Sequence, residues 1–326
     1  MKTNRISKTD VTVTEVSFGC ASIGNLYHAV TDAQALEVIA TAWQEGIRYF
    51  DTAPHYGRGL SEQRLGNFLK NKPRDKYTLS TKVGRVLSPG HVMSEADGFI
   101  DPLPNDVRYD YSGDGIEASL ETSLERLGTT MIDIAFVHDL GRYTHGTGND
   151  THMEAFLSSG YERLVQLKEK GRIRAFGLGV NENEVCLEVM QHGSLDVILL
   201  AGRLTLLDRS AEEHLTQKCR EAETSLVLGG VFNSGILATG TIEGATFEYG
   251  LAPADILNQV KTLEEKSNEL GLPLANAALQ FAKRHPLAVS VLIGTAKTSS
   301  LQQNIEALAA EIPAHFNAVF KITGEV

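Results

Sequence analysis

Arg48-Tyr-Phe-Asp-Thr-Ala-Pro-His-Tyr-Gly57 is the stretch on which the fold turns. Tyr49 and Phe50 form a short apolar pair of strand-favouring residues. Asp51 ends that pair, and Pro54 and Gly57 force a loop. A carboxylate therefore stands at the mouth of a strand, and a phenol, Tyr56, follows on the loop it feeds. A capped strand with a surface tyrosine explains that much equally well. The flanking segments decide.

Val11 to Phe18 alternates as a strand, with a hairpin to the residues before it. Asp32 is placed to cap a helix reaching Glu45, with Ala35, Ile39, Ala42 and Trp43 as its apolar stripe. Helices are predicted at 60–69, 114–127, 161–170, 184–191, 211–222, 255–270, 274–284 and 299–309. Strands at 77–82, 131–138, 175–178, 196–200, 225–228 and 289–293 lie between them. Such alternation implies right-handed crossovers and a parallel sheet. Eight units point to an α/β fold, a closed (β/α)8 TIM barrel, which needs about 250 residues. The surplus goes to the N-terminal β-hairpin and to two long loops on the C-terminal face, 84–113 and 139–159, which read as irregular lids. No linker or low-complexity tract divides the chain, so 1–326 reads as one domain. A doubly wound sheet is the runner-up, but the glycine runs do not support it. Gly19 to Gly24 is followed by Asn25-Leu26 where a phosphate loop needs Lys-Ser/Thr, and Gly177-Leu-Gly179 lacks a third glycine. Both read as tight turns.

The 326 residues, 42% of them hydrophobic, are ample for one large core. A net charge of −11 and the lack of a Lys/Arg cluster argue against nucleic-acid binding. Cys20, Cys186 and Cys219 are scattered and lack metal spacing, which fits reduced, buried thiols. There is no apolar signal core and no uncharged run of about 18 apolar residues, so the expected location is the cytoplasm, away from membranes. No metal motif and no Gly-x-Ser-x-Gly nucleophile turn is present.

Three successive strands end on an ionisable residue: Asp51, Lys82 and His138. In a barrel those ends converge on the active-site face, and Tyr56 reaches the same place from its loop. One such residue proves little, but four on consecutive units point to proton transfer. A free tyrosine titrates near ~10, and an ammonium beside it lowers that value. Lys82 supplies the ammonium, Asp51 compensates its burial, and His138 orients a substrate oxygen. These groups do no redox chemistry alone, so a borrowed hydride carrier is required.

Asp51, Tyr56, Lys82 and His138, in this order on successive units, resemble the catalytic tetrad of the aldo-keto reductases. The likeness runs from Phe18-Gly19 to Asn304 and rests on Asp51-Thr-Ala-x-x-Tyr-Gly57 and Ser80-Thr-Lys82. Lys82-Val-Gly-Arg85, Val137 to Gly146, Leu200-Ala-Gly-Arg203 and Phe232 to Leu237 resemble the aldose 1-dehydrogenase subgroup, with pyridoxal 4-dehydrogenases as near neighbours. The resemblance implies an extended nicotinamide dinucleotide across the barrel mouth. Asn181 matches the carboxamide-holding asparagine, and Phe232, Ser234, Gly235 and Leu237 match the pyrophosphate loop. Gly294, Thr295, Lys297, Ser300, Gln303 and Asn304 match the adenosine-phosphate site. This sequence departs from the pattern at Val180, at Ala201-Gly-Arg203, which replaces a glutamine, and at Gly229, which replaces a stacking aromatic. Ser300 stands where NADP-selective members carry arginine, so the implied cofactor is NAD, with NADP as the alternative. The implied reaction is oxidation of an aldose at C1, or turnover of another small-molecule aldehyde, by a monomer or homodimer. His55, Tyr143 and His145 are the candidate substrate contacts.

Overall fold

The computed structural model describes residues 1–322. Eight parallel strands form a closed ring: β1 (Val16–Gly19), β2 (Tyr49–Asp51), β3 (Thr78–Val83), β4 (Ile134–His138), β5 (Ala175–Val180), β6 (Val197–Ala201), β7 (Ser225–Gly229) and β8 (Ala288–Ile293). Each strand pairs with its successor in sequence, and β8 closes on β1 through Val291↔Val16. Helices follow the strands: α1 (Asp32–Gln44), α2 (Leu60–Leu69), α3 (Gly113–Leu127), α4 (Tyr161–Glu169), α5 (Glu184–His192), α6 (Leu215–Ala222), α7 (Ala254–Glu269), α8 (Leu274–Arg284) and α9 (Thr298–Ala309). This is the (β/α)8 TIM barrel read from the sequence.

Tyr49, Ile134, Phe136, Ala175, Val197, Leu199 and Val227 fill the barrel interior. Ile6, Val11 and Val13 join them from the N-terminal hairpin, Thr3–Arg5 paired with Thr12–Thr14. That hairpin closes the N-terminal end. Asn4 Nδ2 donates to Val289 O (2.8 Å), Ser7 N to Ser225 Oγ (2.9 Å), and Thr78 Oγ1 to Thr12 O (2.6 Å). A larger apolar layer packs the outer face of the strands against the helices.

Several local expectations are corrected. Thr31, not Asp32, caps α1: its hydroxyl accepts from Gln34 N, and Gln34 reaches back in a capping box. Gly177 and Gly179 lie within β5 rather than in a turn. Residues 84–113 are not irregular. Arg85–Pro89 and Asn105–Tyr109 form an antiparallel ribbon, with a smaller one at Glu95–Ala96 and Phe99–Ile100. No residue of the second ribbon strand is fully buried, so no alternation of core and surface residues marks it. Residues 139–159 hold two short helices, Arg142–His145 and Asn149–Ala155, and a π turn leads from there into α4. Among the described residues no helix is long and apolar enough to cross a membrane. All three cysteines are buried and unpaired.

Candidate active site

The C-terminal ends of β2, β3 and β4 bring the expected tetrad together. Lys82 Nζ lies 2.6 Å from Asp51 Oδ2, 3.0 Å from Thr52 O and 3.0 Å from the Tyr56 phenol oxygen. Its three ammonium donors are thereby all engaged. Ser80 Oγ donates to Asp51 Oδ1 at 2.7 Å, which holds the carboxylate from the far side. The strand carrying Lys82 is pinned in turn. Thr81 Oγ1 donates to the fully buried Glu62 at 2.7 Å, and Arg126 Nε reaches the other Glu62 oxygen at 2.6 Å.

Glycine sets the height of Tyr56. A Cβ on Gly24 would fall 2.8 Å from the Tyr56 backbone carbon, and one on Gly57 (φ +62°) would fall 2.4 Å from Gly24 O. The loops after β1 and β2 touch backbone to backbone there, and no other residue permits that approach. Gly179 on β5 similarly leaves room beside the Lys82 side chain.

The charge states differ in part from the sequence expectation. Burial pushes the Tyr56 phenol up to about 12, although the Lys82 ammonium pulls the other way. Here desolvation wins over the cation, and the phenol is protonated at neutral pH. Burial alone would lower Lys82, but Asp51 and Tyr56 outweigh it and the lysine stays charged. His138 is held well below the usual imidazole range by burial, then by the positive charges of Arg85 and Lys82. Its Nδ1 is buried without a partner, so Nε2 is the nitrogen facing the cavity, 3.4 Å from Asp139 Oδ2. A neutral ring carries one proton, and that carboxylate draws it to Nε2.

Tyr56, Lys82 and His138 open into a cleft of about 460 Å³. Its walls include Tyr27, Asp97, Phe99, Asp139, Tyr143 and Asn181. His55 also lines it, with burial pushing its pKa down to about 3 and its ring edge-on to Phe99. Tyr143 lies at the rim, 47% exposed. His145 is placed elsewhere, behind the wall. Its Nε2 meets the Tyr111 hydroxyl at 2.8 Å, and its ring packs on Tyr109 and His152. Asp97 and Asp139 were not singled out from sequence, where each reads as an ordinary turn residue.

A narrow trench continues from the cleft past Asn181, Arg203 and Ser234. The Arg203 guanidinium is committed to Asp208, Glu248 and the Asn181 carbonyl, so it braces Asn181 rather than standing free. The Tyr249 hydroxyl accepts from Asn181 Nδ2 at 3.3 Å, and Ser234 Oγ accepts from Tyr249 N at 3.0 Å. Phe232 is half-buried, and Gly235 (φ +101°) faces open space. Leu237 is a core residue whose N–H donates to Phe232 O, so its side chain has no access to a ligand. Gly294, Thr295 and Lys297 follow β8, while Ser300, Gln303 and Asn304 lie on α9. The trench is polar, its charges Arg203 and Glu248 are paired with each other, and it leads away from the tetrad along the path the resemblance gives to an extended dinucleotide.

The matching family model is that of the aldo/keto reductase family, over residues 15–322. The chain belongs to the aldo/keto reductase family. It is therefore an oxidoreductase of a family that works with nicotinamide nucleotides on small molecules. It is 37% identical to a pyridoxal 4-dehydrogenase of Microbacterium luteolum, covering 98% of this chain and 96% of that one. It is also 37% identical to a D-threo-aldose 1-dehydrogenase of a Pseudomonas species, covering 92% and 90%. The holo form of an aldo-keto reductase from Bacillus halodurans superposes with a TM-score of 0.77 at 26% identity, covering 98% of this chain and 95% of that one. Among the described residues of this aldo/keto reductase, no three His, Cys, Asp or Glu side chains converge as a metal site.

Proposed function

We propose that this enzyme is an NAD-dependent aldose 1-dehydrogenase that oxidises L-fucose or another D-threo-type sugar at C1 to the lactone. The observation that carries the reading is the Lys82 ammonium held between Asp51 and Tyr56 at the floor of a cleft walled by phenols and carboxylates. Carboxylates and aromatic hydroxyls suit a neutral polyol and repel a phosphorylated one.

In this reading the bound dinucleotide supplies the hydride acceptor, with Asn181, Ser234 and the residues from Gly294 to Asn304 holding it. The chain's own work is on the proton. The reacting oxygen sits between the Tyr56 phenol and His138 Nε2. His138 donates to it as a neutral imidazole, and Tyr56 takes its proton once Lys82 has stabilised the phenolate. With Ser300 in place of an arginine, little at the adenosine end selects a 2′-phosphate, which supports NAD over NADP.

Pyridoxal oxidation is the second reading, supported by the equal 37% identity and the aromatic walls. A screen of aldoses and pyridoxal with NAD and with NADP, read as reduced nucleotide at 340 nm, separates them. L-fucose with NAD is expected to give the highest kcat/KM. Pyridoxal turnover without aldose turnover overturns the proposal.

A further inference from the structure

One carboxylate beside the tetrad does more than draw the His138 proton to Nε2. Asp139 follows His138 where β4 leaves the barrel. Its φ of +50° lies in the left-handed region, which Asp tolerates better than most residues. Its N–H is anchored to Gly179 O on β5 at 3.0 Å. Its side chain pairs with Arg85, which is itself 4% exposed and seated over the Tyr109 ring. Asp139 also lines the catalytic cleft, with Oδ2 3.4 Å from His138 Nε2. An ionised carboxylate offers about four acceptor positions, and Arg85 and His138 leave part of that capacity facing the cavity.

We infer that Asp139 reads the substrate hydroxyl on the carbon next to the one oxidised. The inference rests on the aldose reading above. The reacting oxygen sits on His138 Nε2, and the Asp139 carboxylate borders that same nitrogen. Vicinal oxygens of a sugar ring are separated by about the length of one hydrogen bond. Seating O1 on His138 therefore brings O2–H to Asp139, which accepts from it with full charge. Arg85 is paired with Asp139 and does not line the cleft, so this corner presents no free cation to a phosphate or carboxylate. The group it recognises is a neutral hydroxyl.

The test compares kcat/KM for L-fucose and 2-deoxy-L-fucose, with NAD, in the wild-type enzyme and in Asp139→Asn. The wild type is expected to favour L-fucose by about 10- to 100-fold, the effect of one hydrogen bond to a charged group. Asp139→Asn is expected to lower kcat/KM on both sugars through His138, but further on L-fucose, so that most of the preference is lost. Equal losses on both sugars would mean that Asp139 only orients His138 and Arg85, and the assignment falls. So it does if the wild type shows no preference. If neither sugar is oxidised, the aldose reading falls and takes this assignment with it. Should Asp139→Asn fail to fold, Arg85→Met with Asp139→Leu removes both charges together and is expected to abolish the preference.

Discussion

The Lys82 ammonium donates to the Tyr56 phenol oxygen across 3.0 Å, yet that phenol is still a weaker acid than free tyrosine. A dry site raises the phenol more than one shared cation lowers it. The proton therefore rests on Tyr56 at neutral pH, in place for the reductive direction, while oxidation first requires that proton to leave.

Tyr56→Phe removes the proton carrier and keeps the ring. Turnover is expected to fall by about 10²- to 10⁴-fold, while NADH binding, followed by fluorescence titration, stays within a factor of two or so. Undiminished turnover would remove Tyr56 from the mechanism.

Lys82→Met leaves Asp51 buried and uncompensated, at a cost of about 3–5 kcal/mol in chemical denaturation. Adding Asp51→Leu is expected to recover much of that stability and none of the activity. A single variant as stable as wild type would contradict the pairing.

The phenolate is scarce at neutral pH, so kcat/KM for oxidation is expected to climb about tenfold per unit from pH 7 toward 10. Reduction of an aldehyde, which needs the protonated phenol, should stay nearly flat over the same range. A flat oxidative profile would argue against Tyr56 as the base.

His55 and His285 are pushed down to about 3 and about 4 by burial, and His138 lies well below its ordinary value. Their folded pKa values are depressed, so below about 6.5 the unfolded chain binds protons that the folded one refuses. Stability is full above that pH and is lost as pH falls from about 6.5 toward 4. Calorimetry at pH 7 and pH 5 should show a clear drop in Tm, and an unchanged Tm would deny the burial of these rings.

Gly24→Ala forces a methyl against the Tyr56 backbone. The expected result is a larger fall in kcat than in Tm, because the loop shifts and carries the phenol off Lys82. Wild-type kcat would mean that the loop yields without moving Tyr56.

The sequence carried the barrel and the tetrad because both rest on strong local signals. Helices α2 and α8 have clear apolar periodicity, and their ends were read to the residue. Asp51 and His138 each stop an apolar strand, and Lys82 stands one residue before the end of a third. The face loops were harder. In the ribbon from Arg85 to Tyr109 only Arg85 and Leu87 are buried, and the first of these is charged, so its residues show no apolar period of two. His145 was beyond local reading because its surroundings come from Tyr109 and Tyr111, on the far side of another loop. The sign of the Tyr56 shift depended on how dry the pocket is, which spacing along a chain does not record.

The hairpin that closes the barrel carries a cost in time. Asn4 finds its partner, Val289, 285 positions further along. At ordinary translation speeds of about 5–20 residues per second, the amino-terminal ribbon waits roughly 15 to 60 s for the last stave to emerge. Until then Ile6, Val11 and Val13 lack part of the barrel interior they pack against. In this enzyme the plug is made long before the strand that Asn4 ties it to.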